Sequence, residues 1–584
     1  VYNVAPVCPR QSGGVTDRAL LQFNVPNAIP QGVTCLDADL AADLYSSASG
    51  SPVSVDAMQL TQAWTTGATW NTYNGATAWT NAGGTFASPS AWTDTSVGTG
   101  AGYYHWYLAS LVQKWVYGTV QNDGILLKAT NEATSNLLSL RSTEYSSSAY
   151  WPYLKVTYQL GIGNRSSDQS VTQKLTDRLN LQVDLSSGNL LVKHQEQAIS
   201  GTGLDQKLDL YYNNLSPAVW DYGRSWEINS GWVIWLATNH PDGVNYYGPS
   251  GTAVHFVKNS DGSYTAPPGL DATLVRNGDL TYTLTSAASG EKFNFSSGVL
   301  SFLTEVDKNV NRMTFAYNAS GSLASITDSQ GRVTTFGYVA ASGCAPPTSD
   351  GFVSLMTDPS GRKFQYGYDG NCNLTTLTDA ANQVTHFGYD ASFNLTQITD
   401  PKGNITKLAY DSATRLTSMI RVTNVGLGTG PTTTYAYNTG AGSCAAAPSG
   451  DSLYGYTVAT DPDSRAATYC YDQQGLVLQV IDANGNSSKT SYTPDQQVAT
   501  STDALSQTRS NNYNVSNDLT QAIFPILASG HTAASTSIGY STPSTVAGYL
   551  YLPSSVTDPQ GSCTAGVSDS AGNVTDRYSG QSTT

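Results

Sequence analysis

The chain is poor in charge and in histidine, and it has no long apolar run. Only 12% of its 584 residues are charged, about half the usual share. Its 28 Lys and Arg stand against 43 Asp and Glu, a net charge of −15. That balance repels phosphate backbones and anionic bilayers, so nucleic acid is not an expected partner. No stretch approaches the roughly 18 apolar residues a membrane helix needs. Six histidines are scattered and no Cys-x-x-Cys pair occurs, which leaves a zinc cage without ligands. Gly-x-Ser-x-Gly, His-Glu-x-x-His and phosphate-loop signatures are also missing. The expectation is no catalytic residue, no metal and no cofactor.

Glycine (54), tyrosine (36) and an excess of Ser, Thr and Asn take the place of charge, the dress of an extracellular, β-rich protein. The opening VYNVAPVCPR is not a signal peptide and reads as the start of a mature or trimmed segment. Seven cysteines read as disulfides with one left over.

The clearest order lies between Thr357 and Met419, where three units run end to end. Asp358, Asp379 and Asp400 step by 21 residues, as do Tyr368, Tyr389 and Tyr410. The step recurs at Asp307 and Asp328 and again at Asp461, Asp482 and Asp503. A fixed period of this size marks one supersecondary unit stacked repeatedly. Two strands of about six residues and two turns fill it, so each unit is a β-hairpin. DPSG (358–361), DPKG (400–403) and DPQG (558–561) carry Asp, Pro and Gly at the places a type I turn requires. Nearly every aspartate therefore reads as a turn cap rather than a glycosidic acid or base. Phe364, Tyr366 and Tyr368 share one strand face, and Phe387 with Tyr389 and Leu408 with Tyr410 continue the column across the sheet.

Insertions are expected at about 339–352 and 421–456. Each carries one cysteine followed by another in the next Tyr-Asp strand, which predicts disulfides Cys344–Cys372 and Cys444–Cys470 and leaves Cys563 unpaired. His255 and His386 lie in strand patterns with no nucleophile nearby and read as packed or surface residues.

Short alternating runs fill residues 1–160: RALLQFNV (18–25), SVDAMQL (54–60), GILLKAT (124–130) and YLKVTY (153–158). They predict an antiparallel, jelly-roll-like β-sandwich. WYLASLVQKWVYGT (106–119) has apolar residues at helical spacing and predicts one short helix. A disulfide Cys8–Cys35 would tie the first segment to the second strand. Trp64 and Trp70 read as core. Trp79 and Trp92, in a loop-like stretch of small polar residues, read as exposed rings on which sugars could stack.

The order RALLQF, LTQAWTTGATWNT, LVQKWVYGT, GILLKATNE and YWPYLKVTY resembles the DNRLRE-type β-sandwich domain of secreted bacterial proteins. That group is similar to a carbohydrate-binding module, and the resemblance implies glycan contact. QLGIGNRSSDQS, ending at residue 170, reads as a linker, with 161–170 its body. Gly188–Leu190, Tyr212–Asn213, Gly223–Trp226 and Gly251–Phe256 then follow in order. This region, 171–300, resembles the lead-in to RHS/YD-repeat proteins, and residues 301–584 would be the repeats. The resemblance implies a curling sheet or shell, an enclosed C-terminal cargo and a secreted or cell-surface location. DPQGSCTAG (558–566) departs from the self-cleavage segment of toxin-bearing members, since it lacks the Leu of their Asp-Pro-x-Gly-Leu, and self-processing is in doubt. Three readings stay open: a non-enzymatic scaffold for adhesion or cargo delivery, a polysaccharide-active enzyme, and an extracellular protein that assembles through open strand edges.

Overall fold

The computed structural model describes residues 4–5, 16–30, 32–87, 92–133, 137–165, 169–229, 233–236, 242–297, 302–340, 343, 346, 348–445, 452–526, 533–540, 553–569 and 573–581. Two compact units result. One holds 1–160 with 236–245 and 257–259, and the other holds 161–235, 246–256 and 260–584.

In the first unit one antiparallel sheet of five strands faces a second of four. The long strand Thr34–Ser47 organises the second sheet, pairing with Gly102–Tyr107, Leu138–Leu140 and Tyr153–Gln159. Alternation sends Ala38, Leu40, Ala42 and Leu44 inward, where they meet Val55, Ala57, Trp106 and Leu127. The helix is shorter than its sequence pattern, Ala109–Val116, because Trp106 and Tyr107 still belong to a strand. It closes the core with Leu111, Val112 and Trp115.

The second unit begins where a linker is expected, yet that segment is anchored. The Gly163 N–H donates to Asn213 Oδ1 at 2.9 Å and the Asn164 N–H to Ser250 Oγ at 2.9 Å. A lead-in sheet follows, built from Ser170–Lys174, Leu179–Asp184, Leu190–Ile199, Gln206–Asn213 and Trp226–Ile228 in that order. From Ala272 to Gln581 the described strands form one 26-stranded antiparallel sheet in strict sequence order. Among the described residues its outermost strands, Ala272–Arg276 and Val574–Gln581, each pair on one side only, so the sheet is not closed. It curls enough that a turn near one end meets a turn near the other: Asn573 Nδ2 donates to Asn309 Oδ1 at 2.7 Å across 264 residues.

The repeat chemistry explains this regularity. In each Thr-Asp turn one carboxylate oxygen accepts two backbone N–H groups. Asp358 Oδ1 takes those of Ser360 and Arg362, both at 2.9 Å. The Gly361 N–H returns to the Asp358 carbonyl at 2.9 Å with φ at +80°. Asp307, Asp379, Asp400, Asp461, Asp482 and Asp503 repeat the pattern. The Tyr-Asp aspartates Asp369, Asp390 and Asp411 do the same at the opposite hairpin ends. Most of the repeat tyrosines donate the hydroxyl to a carbonyl 15 residues earlier. Examples are Tyr368 to Val353 at 2.7 Å, Tyr389 to Leu374 at 2.8 Å and Tyr410 to Leu395 at 2.7 Å.

After each such tyrosine the partner strand bulges by one residue, Thr375, Thr396 or Thr417. The bulged threonine turns its hydroxyl back to a carbonyl across the ladder, as Thr375 does to Gly367 at 3.1 Å. The bulge makes Leu374 and Leu377, three apart, share the buried side, where strict alternation would separate them.

The stretch 421–456 is not a single insertion. Thr432–Thr439 inside it is a full strand of the sheet, paired with Leu416–Arg421 and Gly455–Thr460. The extra residues divide between two loops, one on either side of that strand. Tyr437 therefore reaches Leu416 O across 21 residues rather than 15, at 2.7 Å.

Candidate functional site

The curled sheet has an inner face, and its lining decides what it can hold. Along the repeats the position two residues before the repeat tyrosine is Phe315, Phe336, Tyr366, Phe387, Leu408, Tyr435 and Tyr469. All but Phe336 and Tyr469 are buried. The lead-in sheet buries the middle of this column. Trp226 packs on Phe387 with ring centroids 4.9 Å apart, and Tyr222 meets Tyr366 edge-on at 5.0 Å. Gln206 Nε2 donates to Thr334 Oγ1 at 3.1 Å, the Leu395 N–H to the Tyr212 hydroxyl at 3.0 Å, and the Thr457 hydroxyl to the Leu185 carbonyl. Contact therefore runs from Thr334 to Thr457. It is not an empty interior.

Some polar groups in this interface are matched, while the Tyr222 hydroxyl and Gln197 Oε1 are buried with no hydrogen-bond partner among the described residues. Glu196, buried, takes His194 Nδ1 at 2.9 Å and the Tyr366 hydroxyl at 3.2 Å on its two oxygens. Burial pushes the hydroxyls of Tyr366, Tyr368, Tyr389 and Tyr410 well above the ordinary phenol range, so they remain protonated donors. The lead-in glycines sit where the two layers touch most closely. At Gly188, with φ +74°, a Cβ would lie 2.5 Å from the Arg415 side chain; at Gly223 it would lie 2.6 Å from the Cys372 carbonyl. That proximity, together with positive φ, accounts for both glycines.

Past Tyr471 the lining changes. The same position becomes Thr490 and Asn511, and the one two residues earlier becomes Ser488 and Arg509, against Phe364, Thr385 and Thr406 under the lead-in sheet. None of these four later side chains is fully buried. Along this column the apolar residues beneath the lead-in sheet give way to Thr490 and Asn511, with Ile538 after them.

The residues singled out by sequence fall elsewhere, and several expectations change. Trp79 is not an exposed platform: it is 6% exposed, packs with Leu60, Trp64 and Leu126, and donates Nε1 to the Thr69 carbonyl at 2.9 Å. A loop rich in small polar residues folds over this ring and buries it. Trp64 is core as expected, whereas Trp70 is 39% exposed beneath the Arg18 guanidinium. Trp92 starts a strand, and its side chain lies outside the described residues. Cys35 is a free, buried thiol that donates to the Asp37 carbonyl, so it does not make the expected bond to Cys8, which lies outside the described residues. Cys444 and Cys470 are bonded, Cα atoms 6.1 Å apart. Cys372 is disulfide-bonded, Cys344 lies outside the described residues, and Cys563 is free. His255 is buried and His386 exposed on its strand.

Sequence reasoning missed His194, Glu196 and Thr334 among the residues that join the layers, whereas Trp226 closes one of the lead-in landmarks. The lead-in Gly and Tyr landmarks marked the right segments, but contacts spanning well over a hundred residues have no local signature.

Comparison with known proteins places repeats of the RHS Repeat family at residues 373–405 and 389–424, the strands from Leu374–Thr378 to Leu416–Arg421. Residues 373–424 thus carry RHS repeats. No curated protein matches it. Among solved structures it is similar to the Photorhabdus luminescens Tc holotoxin pore with a mutant TccC3, at 10% identity and TM-score 0.30, covering 70% of this chain and 26% of that one. The TcdB2-TccC3-Cdc42 structure gives 11% identity and TM-score 0.29, with 70% and 26% covered. TcdB2-TccC3 without the hypervariable C-terminal region gives 12% and 0.28, with 72% and 26% covered. The chain thus spans about a quarter of the length of these chains.

Proposed function

We propose that this chain is a secreted or surface-displayed, non-enzymatic RHS-repeat scaffold whose curled sheet encloses and delivers a C-terminal cargo. Its N-terminal sandwich is a head that contacts a glycan on a cell surface. The observation that carries the first reading is the change in the inner lining, from Tyr366, Phe387 and Leu408 beneath the lead-in sheet to Thr490 and Asn511 beyond it. An apolar wall needs a fixed partner, while a wall of hydroxyls and amides holds water or an unfolded chain without trapping it. The aspartates most suited to acid and base work are held in turns by backbone N–H groups, which supports a structural role for them.

A protease-sensitive peptide fused after Thr584 tests this. Enclosure predicts slower cleavage than for the same peptide on an unrelated carrier. Equal rates would remove the reading.

A second reading rests on the two edge strands, Ala272–Arg276 and Val574–Gln581, each paired on one side only among the described residues. Open edges recruit further strands, and self-assembly through them would appear as polymers in size-exclusion chromatography. A monomer at all concentrations would exclude it.

A further inference from the structure

The sheet built on Thr34–Ser47 uses one face for the sandwich core, and its other face is dressed unlike a solvated surface. Alternation places Asp39, Ala41 and Asp43 on that face, with His105 opposite Ala41, Tyr103 opposite Asp43, and Tyr153 and Lys155 on the other flank. Between Leu44 and Ser46 the ladder to Leu138–Leu140 skips a residue, and that residue is Tyr45. Such a bulge re-aims its side chain, and Tyr45 is 60% exposed.

Arg141 is the hub. It pairs with Asp43, and its guanidinium lies 4.9, 4.8 and 4.4 Å from the ring centroids of Tyr45, Tyr145 and Tyr150. Tyr145, Tyr150 and Tyr153 are each about 40% exposed. The loop carrying two of them is locked: Trp151 Nε1 donates to the Tyr145 carbonyl at 2.8 Å and the Tyr103 hydroxyl to the Ala149 carbonyl at 2.8 Å. His105 Nδ1 lies 2.8 Å from Asp39 Oδ1. The rings are therefore fixed before any ligand arrives, which lowers the entropic cost of binding.

We infer that this face is the glycan-binding site of the sandwich and that its ligand is an uncharged oligosaccharide; the inference rests on the proposed glycan-contacting head. Half-exposed rings offer flat apolar area for the C–H faces of sugars, while the tyrosine hydroxyls and the edges of Asp39, Arg141 and His105 offer donors and acceptors for sugar hydroxyls. Charge selects the class. Asp39 and Asp43 balance Arg141 and Lys155 within the patch, and the chain as a whole carries −15, so an anionic polysaccharide gains nothing here.

The test is binding of the full chain to immobilised uncharged and uronate-containing oligosaccharides, followed by titration calorimetry of the best ligand. Wild type is expected to bind an uncharged glycan. Tyr45→Ala and Tyr150→Ala should each weaken it about tenfold, or 1.4 kcal/mol, with unchanged melting, while Trp70→Ala, an exposed aromatic elsewhere in the unit, leaves it intact. Glycan binding that survives the Tyr45→Ala/Tyr150→Ala double variant overturns this site and leaves the head reading standing. Binding only to uronate glycans overturns the ligand class. No glycan binding by wild type overturns the head reading and the site together.

Discussion

The indole N–H of Trp226 donates to the Tyr389 hydroxyl at 2.8 Å, and that hydroxyl donates in turn to the Leu374 carbonyl at 2.8 Å. A lead-in residue thus closes a chain of hydrogen bonds that begins inside the repeats, 163 positions away. Repeat hairpins and lead-in sheet complete one another: the repeats supply a curved apolar wall, and the lead-in supplies the layer that keeps it dry.

The tyrosine ladder contributes unequally along the array. Tyr410→Phe orphans a carbonyl under the lead-in sheet and should cost about 1–3 kcal/mol. Tyr513→Phe removes the equivalent bond to Val498, 2.9 Å long, in the uncovered part, and should cost about 0.5–1.5 kcal/mol. Urea unfolding of both variants checks the order.

Gly361 has φ +80° and open space where a Cβ would sit. Gly361→Ala therefore isolates backbone strain and should destabilise by about 1–2 kcal/mol. Gly188→Ala adds overlap with Arg415 and Tyr437 and should lower the melting temperature further.

The bond between Cys444 and Cys470 closes a loop of 26 residues, for which chain entropy gives about 3.5 kcal/mol. A Cys444→Ser/Cys470→Ser chain should unfold at correspondingly lower denaturant. Protease should cut that variant between Thr432–Thr439 and Gly455–Thr460 before it cuts the sheet.

Glu227 lies in the lead-in with Oε1 sealed from solvent and unpartnered among the described residues, and burial pushes its carboxyl up to about 8. In the unfolded chain it ionises near about 4.3. The native state keeps the proton longer, so this group's stabilisation is full below that value and is lost as pH rises toward 8. Glu227→Gln should match wild type at pH 4 and exceed it increasingly from pH 5 to 8, read as urea midpoints across that range.

Much of this was legible from residues. The 21-residue step, the Asp-Pro-x-Gly turns and the aromatic phase located hairpins because each is a local rule. The bulge was hidden, since Leu374 and Leu377 read as a broken alternation until Thr375 is seen standing out of the ladder. Thr432–Thr439 was hidden by the loops on either side, which stretched the period. The strand Thr34–Ser47 was obscured by Asp37, Asp39 and Asp43, whose burial beneath neighbouring side chains no periodicity reveals. Trp79 misled because composition described its loop, while the ring itself chose the core.

The packed inner face is tested most directly by a double-mutant cycle of Trp226→Phe and Tyr389→Phe, with stability measured by urea unfolding. A lead-in sheet seated on the repeats predicts a coupling of about 0.5–3 kcal/mol between the two changes. Strictly additive losses would mean that Trp226 and Tyr389 do not meet, and would contradict the filled interior.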